Sequence, residues 1–208
     1  MDNIATELKK FLNSYGIPER SSPSCVGKYR GQSIVICGDA ACVWDDLERF
    51  GCRSENGVAK EGWHFFTVNG ITSTFPGQIE HCYSNAVWVI RRYIRARRDD
   101  YKAEFGYPKF CHSRDEGADF IWPWNGNGTS GLGAVLCALF MGYERIVLAG
   151  MPLDNSPHNG EPPWRRTFFL KEVEKGEIHW PNAIKALNGK VKSLSGRTAQ
   201  WLGAPSFE

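Results

Sequence analysis

The sequence predicts a three-layer α/β fold with a mostly parallel central sheet, and two observations carry this prediction. The first is that short apolar runs alternate along the chain with segments of helical periodicity. The second is the character of those runs. Residues 33–38 read SIVICG, a continuous β-branched stretch typical of a strand buried on both faces. Strands that alternate with helices are typical of β–α–β units, whose strands run parallel.

The individual elements follow in order along the chain. A helix over residues 2–15 comes first, because its apolar side chains share one helical face and Gly16 and Pro18 follow it. The strands are predicted at residues 33–38, 63–68, 108–112, 120–122, 145–149 and 190–194. The helices among them are predicted at residues 43–50, 85–98 and 130–141.

Composition excludes several classes of protein. At 208 residues the chain fits one domain that buries about 70% of its unfolded surface. Its 25 basic and 23 acidic residues give a net charge of +2, so no overall field selects a nucleic acid or a membrane. Its seven cysteines contain no Cys-x-x-Cys pair, which argues against a zinc ribbon and favours a reducing cytoplasm. No signal peptide and no apolar run near the roughly 18 residues of a membrane span are recognisable, so no membrane association is expected.

The glycine-rich segment GNGTSGLG at residues 126–133 leads straight into an apolar helix. The first turn of a helix has unpaired backbone N–H groups and the positive end of the helix dipole, and glycines let a ligand approach that backbone closely. The segment is therefore predicted to bind a phosphate or a carboxylate. The alternative is that its glycines only permit tight helix–strand packing. The residues assigned to this site are Gly128, Thr129, Ser130 and Gly131.

Three landmarks carry a resemblance to a known superfamily. They are ICGD at residues 36–39, TVNG at residues 67–70, and GTSG at residues 128–131 with a later strand that ends in LAGMPLD at residues 148–154. This order resembles the Rossmann-like domain shared by archaeal-type 6-hydroxymethylpterin diphosphokinases and bacterial lipooligosaccharide sialyltransferases. It also resembles a group of uncharacterised phage proteins. The resemblance covers roughly residues 32–155.

The resemblance implies that the chain is a single Rossmann-like domain. Its parts are an N-terminal helix and linker (1–31), a nucleotide-binding core (32–155) and a C-terminal substrate or lid region (156–208). Residues at two strand ends join the glycine-rich segment as nucleotide contacts, namely Gly38, Asp39 and Asn69. In the sialyltransferases the first strand ends in Gly-Asn-Gly-Pro-Ser, whereas this chain has CGDAA, without the asparagine and the serine. Asp39 suits a ribose hydroxyl, a Mg²⁺ ion or the cap of the following helix equally well.

Three side chains are candidates for a catalytic base. The sialyltransferases have a catalytic histidine ahead of a C-terminal helix, and the resemblance assigns that role to His179. Asp154 and His158 lie in a polar loop after a central strand, at the edge of an open α/β sheet where ligands bind. Asp154 ranks first, His179 second and His158 third. The alternatives are that Asp154 caps its loop and that His179 is a surface ring stacked on Trp180.

Two further groups of residues are predicted to contact ligands. Three residues are assigned to contacts with the substrate. Trp124 is predicted to stack on it, and Arg165 is predicted to bind a diphosphate. His81 is predicted to line the ligand cleft at the carboxyl ends of the strands. Four arginines of the predicted helix 85–98 suit the phosphate backbone of a nucleic acid, although a solvated helix face is the commoner arrangement. They are Arg91, Arg92, Arg95 and Arg98.

The sequence therefore predicts a transferase that uses a nucleotide-activated donor. By resemblance, the reaction is glycosyl transfer to an acceptor hydroxyl on a modified DNA base or a glycan. The alternatives are a pterin-type diphosphokinase, which uses ATP and Mg²⁺, and a non-catalytic nucleotide-binding protein. No Asp-x-Asp motif occurs, so no metal site and no resident cofactor are predicted outside the diphosphokinase alternative. The predicted location is the cytoplasm, that of the host if the chain is phage-encoded.

Overall fold

The computed structural model describes residues 23–100, 106–122, 129–154, 158–160, 179–187 and 189–206. Its strands are β1 (Ser33–Cys37), β2 (Arg53–Ser54), β3 (Gly57–Val58), β4 (Trp63–Val68), β5 (His81–Tyr83), β6 (Phe110–Ser113), β7 (Phe120–Ile121), β8 (Arg145–Ala149) and β9 (Val191–Ser193). Its helices are α1 (Val43–Arg49), α2 (Ile71–Thr74), α3 (Val87–Asp99), α4 (Ser130–Met141), α5 (Trp180–Leu187) and α6 (Gly196–Leu202).

The central sheet confirms the predicted three-layer, Rossmann-like α/β class. Within the described residues it has seven strands in the order β7–β6–β5–β4–β1–β8–β9, and each neighbouring pair is parallel. β2 and β3 form a separate antiparallel hairpin. Buried side chains of α1, α2 and α3 join one hydrophobic cluster, and those of α4, α5 and α6 join the other. The helices therefore form a layer on each face of the sheet.

The central strand β1 has the burial that its sequence predicts. All five of its residues are buried, and it pairs with β4 on one side and β8 on the other. Its alternate side chains belong to opposite clusters, with Ile34 and Ile36 on the α4 face and Val35 and Cys37 on the α1 face. A strand covered on both faces has no solvent side, which explains the continuous apolar run.

Most predicted elements agree with the structure to within two residues at each end. α4, β4 and β8 have the predicted bounds, and β1 and α1 agree to within one residue. β5 is absent from the predicted strands, because a three-residue strand is too short for a periodic pattern. The predicted helix at residues 2–15 lies outside the described residues. None of the described helices is both long and apolar enough to cross a membrane.

The connections fix where a ligand site is expected. After β1 the chain builds the sheet outward through β4, β5, β6 and β7, and it then returns through α4 to place β8 on the opposite side of β1. The strand order therefore reverses between β1 and β8. In open α/β sheets, ligands bind outside the carboxyl ends of the strands at such a reversal point.

A chain of buried hydrogen bonds crosses the sheet beneath α4. The Trp122 indole Nε1–H donates to His112 Nδ1 at 3.0 Å, and His112 Nε2 lies 3.0 Å from His81 Nδ1. His81 Nε2 lies 3.0 Å from the Tyr143 hydroxyl, which lies 2.7 Å from His64 Nδ1. An indole only donates, so with neutral imidazoles each group in turn donates towards His64.

Burial keeps the central rings of this chain neutral. His81 and His112 are both fully buried. Desolvation lowers the pKa of His81 to about 2, with nearby His112 as a smaller cause, and lowers the pKa of His112 to about 3. A proton on either ring would also put two donors against each other, because every ring nitrogen of the pair already has a partner.

We expect the free energy of unfolding to fall as the pH drops below about 6.5, the ordinary pKa of histidine. The unfolded chain gains protons on His81 and His112 there, whereas the folded protein gains them only near pH 3 and below. The free energy of unfolding therefore falls by up to about 1.4 kcal/mol per pH unit for each ring. Above about pH 7 both rings are neutral in the folded and the unfolded chain, so they cause no loss there. Urea unfolding between about pH 7.5 and 5.5 measures this slope. His158→Gln, at an exposed ring, is the control and should keep the slope; a flat wild-type response would contradict the prediction.

Candidate active site at the carboxyl edge of the sheet

The carboxyl ends of β1 and β8 pack backbone against backbone. The Gly38 N–H donates to the Ala149 carbonyl at 2.8 Å, and the Ala40 N–H donates to the Gly150 carbonyl at 3.2 Å. A side chain at Gly38 would collide with the Gly150 carbonyl oxygen and with Met151. Gly38 is therefore needed for close packing between the strand ends, and its contact with a nucleotide stays a prediction.

Asp39 lies between the ends of β1 and β4. Its carboxylate sits against Gly70, where any side chain would collide with it. The preceding Asn69 has a left-handed backbone with φ 57°, and its N–H donates to the Tyr83 carbonyl at 3.1 Å. Both Asp39 and Asn69 are half-buried at the edge of the sheet. A carboxylate and an amide in this position are suited to bind the hydroxyls of a ribose.

The first turn of α4 lies beside this edge, as the glycine-rich segment predicts. A side chain at Gly131 would come within 2.8 Å of the Met151 sulfur, and Met151 also abuts Gly38. Met151 therefore joins the end of β1 to the beginning of α4. Among the residues assigned to the glycine-rich segment, Gly128 lies outside the described residues.

The two hydroxyls of this turn are already engaged as acceptors within the protein. Thr129 Oγ1 accepts from the Leu132 N–H at 3.1 Å, which caps α4, and from the Trp180 indole N–H at 2.8 Å. Ser130 Oγ accepts from the Asn85 N–H at 3.4 Å. Both lone pairs of Thr129 are thus used internally, and only its hydroxyl hydrogen can reach a ligand.

The three candidate bases occupy the same end of the molecule. Asp154 follows β8 and is half-buried, and its negative charge helps raise the pKa of Cys42 to about 11, although burial is the larger cause. His158 is exposed, and its backbone forms an antiparallel bridge with Ala40. His179 is half-buried and comes directly before α5, whose Trp180 contacts Thr129. The fold therefore brings residues distant in sequence to one edge.

One predicted substrate contact is wrong and two cannot be described. His81 has no exposed surface, and both of its ring nitrogens have partners in the buried hydrogen-bond chain, so it does not line the cleft. A three-residue strand is too short to show a periodic pattern, so the sequence did not indicate this burial. Trp124 and Arg165 lie outside the described residues.

The basic helix α3 has an exposed and a buried part. The four arginines assigned to nucleic acid are exposed, and Arg91 donates to the Gly117 carbonyl at 3.0 Å while Arg98 pairs with Asp99. Arg97 is buried instead and donates to backbone carbonyls that include Phe75 at 2.5 Å and Gly77 at 2.9 Å. Contact of Arg91, Arg92, Arg95 and Arg98 with a nucleic acid stays a prediction.

Sequence reasoning missed the buried carboxylate that supports this edge. Asp46 Oδ2 accepts from the Gly150 N–H at 2.8 Å and from the Ser195 hydroxyl at 2.7 Å. Its other oxygen accepts from Arg49 at 2.5 Å. In the sequence, Asp45 and Asp46 are adjacent acidic residues that cannot be told apart. Only the tertiary structure shows that Asp45 is exposed and Asp46 is buried.

The described residues contain no group of three or more histidine, cysteine or acidic side chains placed to hold a metal ion. All seven cysteines are free, and five of them are buried.

The chain was compared with known protein families, sequences and structures, and only the structures gave a match. No protein-family model matches the chain, and no curated protein sequence matches it significantly. Its structure is similar to that of the sialyltransferase CstII from Campylobacter jejuni in complex with the substrate analogue cytidine-5′-monophosphate, with 14% identity, a TM-score of 0.50 and 86% of each chain covered. Two single-residue variants of CST-II in complex with CMP give 12% identity and TM-scores of 0.51 and 0.52, over 84% of this chain. They are covered over 87% and 86% of their own chains. At these identities the similarity concerns the fold.

We expect Asp46→Ala to lower the free energy of unfolding by about 2–4 kcal/mol, because the Gly150 N–H and the Ser195 hydroxyl lose their acceptor. The pair with Arg49 adds little, since 55% of that side chain is exposed. Urea unfolding measures the loss. Asp45→Ala, at the exposed neighbour on the same helix, is the matched control and should cost less than about 1 kcal/mol. Equal losses in the two variants would contradict the supporting role of Asp46.

Proposed function

We propose that the protein is a transferase that binds a nucleotide-activated sugar at the carboxyl edge of its sheet and transfers the sugar to an acceptor hydroxyl. The observation that carries this proposal is the state of the two hydroxyls at the start of α4. Protein donors occupy the lone pairs of Thr129 and one acceptor position of Ser130, which leaves their hydrogens to donate. Such pre-oriented donors suit phosphate oxygens.

The surroundings support the same ligand. α4 presents the positive end of its dipole beside these hydroxyls, which favours a negatively charged group. Asp39 and Asn69 lie at neighbouring strand ends, where they suit the ribose of the same nucleotide. The similarity in fold to sialyltransferases that were solved with CMP supports a nucleotide donor and glycosyl transfer as the chemistry.

In the proposed transfer step, the base and the groups at the start of α4 have separate roles. The base removes the proton of the acceptor hydroxyl while that oxygen forms a bond to the anomeric carbon of the sugar. The bond between the anomeric carbon and the phosphate oxygen breaks, and the nucleotide leaves with the electron pair. The hydroxyls of Thr129 and Ser130 and the N–H groups of α4 stabilise the charge on the departing phosphate.

The first test is nucleotide binding. Thermal unfolding with CMP, UDP and ATP, the last with and without Mg²⁺, identifies the nucleotide, since a hundredfold excess over the Kd stabilises by about 2.7 kcal/mol. Calorimetry with the best nucleotide should then show about tenfold weaker binding to Ser130→Ala, which loses one hydrogen bond to a charged group. Thr129→Ala is less informative, because it also removes the cap of α4.

Ser54→Ala, at an exposed position of the β2–β3 hairpin, is the matched control and should bind like the wild type. Stabilisation by ATP and Mg²⁺ alone would favour the diphosphokinase instead. If no nucleotide binds, the proposal fails.

The second test identifies the base, for which Asp154 is the first candidate, His179 the second and His158 the third. Asp154→Asn should lower turnover by about 10²- to 10⁴-fold while nucleotide binding is retained, because only the proton transfer is lost. His179→Ala and His158→Ala are measured alongside, with turnover and nucleotide affinity determined for each variant. Full turnover in all three would show that none of them is the base.

A further inference from the structure

A polar cavity lies at the opposite edge of the sheet from the candidate active site. Its volume is about 700 Å³, and its lining includes Trp63 and Arg145, the first residues of β4 and β8. Ser33, the first residue of β1, is buried between these two residues, because it pairs in register with both. The end of α1 and residues 189–192 close the sides.

The side chains that line this cavity are strongly basic. Of the described residues around it, five carry positive charge and one carries negative charge. The basic residues are Arg49, Lys60, Arg145, Lys190 and Lys192, and the acidic one is Glu144. The whole chain has a net charge of only +2, so the cavity concentrates charge that the rest of the molecule balances.

Neutral partners hold three of these cations in place. Arg145 donates to the Ser33 hydroxyl at 2.7 Å and lies over the Trp63 ring at 5.4 Å. Lys60 donates to the Phe50 carbonyl at 3.0 Å and lies 4.6 Å from the centre of the Phe50 ring.

Lys192 donates to the Leu202 carbonyl at 3.1 Å. Carbonyls, hydroxyls and ring faces orient a cation but do not neutralise it. Arg49 differs, because its guanidinium is paired with the Asp46 carboxylate.

We propose that this cavity binds a small molecule with two or more phosphate groups. Its volume lies within the range of small-molecule sites, about 300–1,000 Å³. The Arg145 fork suits two oxygens of one phosphate, and the lysines supply point charges for the next. The site is separate from the candidate active site, since a five-residue strand is about 16 Å long.

Isothermal titration calorimetry with inorganic tripolyphosphate tests the proposal. We expect one equivalent to bind the wild-type protein, and the Kd to rise at least about tenfold in Arg145→Gln/Lys190→Gln. The control is Lys28→Gln/Arg30→Gln, which removes the same charge from exposed positions outside the cavity lining and should stay within about twofold of the wild type. Lys190→Gln/Lys192→Gln replaces the first variant if Arg145→Gln lowers the thermal midpoint.

Several results would overturn the proposal. Equal weakening in the cavity and control variants would mean that only net charge matters. Competition between tripolyphosphate and the nucleotide of the carboxyl edge would place both in one site. Binding of a single-stranded oligonucleotide without binding of tripolyphosphate would identify a surface for a polymer. Absence of tripolyphosphate binding would exclude the site, whereas the proposed transferase function would be unaffected.

Discussion

The buried carboxylate of Asp46 is the constraint on which the carboxyl edge of the sheet depends. One of its oxygens binds the backbone at the end of β8 and the Ser195 hydroxyl after β9. A buried carboxylate needs these donors because desolvation without partners is costly, and the Gly150 N–H and the Ser195 hydroxyl would lose their acceptor without it. The turn at Gly150 and the segment before α6 are thereby held against α1 in one arrangement.

This arrangement brings the polar residues of the candidate site together. With Gly150 fixed, Gly38 can approach it only because it has no side chain, and Met151 then fills the space between β1 and the first turn of α4. Thr129 is held from two directions, by its own helix and by the Trp180 indole from α5. The hydroxyl donors therefore need little reorganisation to meet a phosphate, which is the condition for effective stabilisation of developing charge.

The two edges of the sheet have different chemistry because parallel strands put all their amino ends on one side and all their carboxyl ends on the other. The carboxyl edge carries hydroxyls, an amide and carboxylates beside a helix N-terminus. The amino edge carries cations held by neutral partners. Between them, the hydrogen-bond chain from Trp122 to His64 crosses the core with its rings kept neutral by burial.

The fold class could be predicted from the sequence, because strands such as β1 and β8, which are buried on both faces, read as continuous apolar runs, and α4 is apolar with a hydroxyl cap. The sequence also indicated the helix start at Thr129 and Ser130, since capping is local in the chain. The tertiary structure alone decided what depends on distant contacts: that Asp46 is buried and Asp45 exposed, that Thr129 accepts from Trp180, and that His81 lies in the core. Contacts between residues that are distant in the sequence, such as Thr129 and Trp180 at a separation of 51 positions, leave no periodic pattern in the sequence.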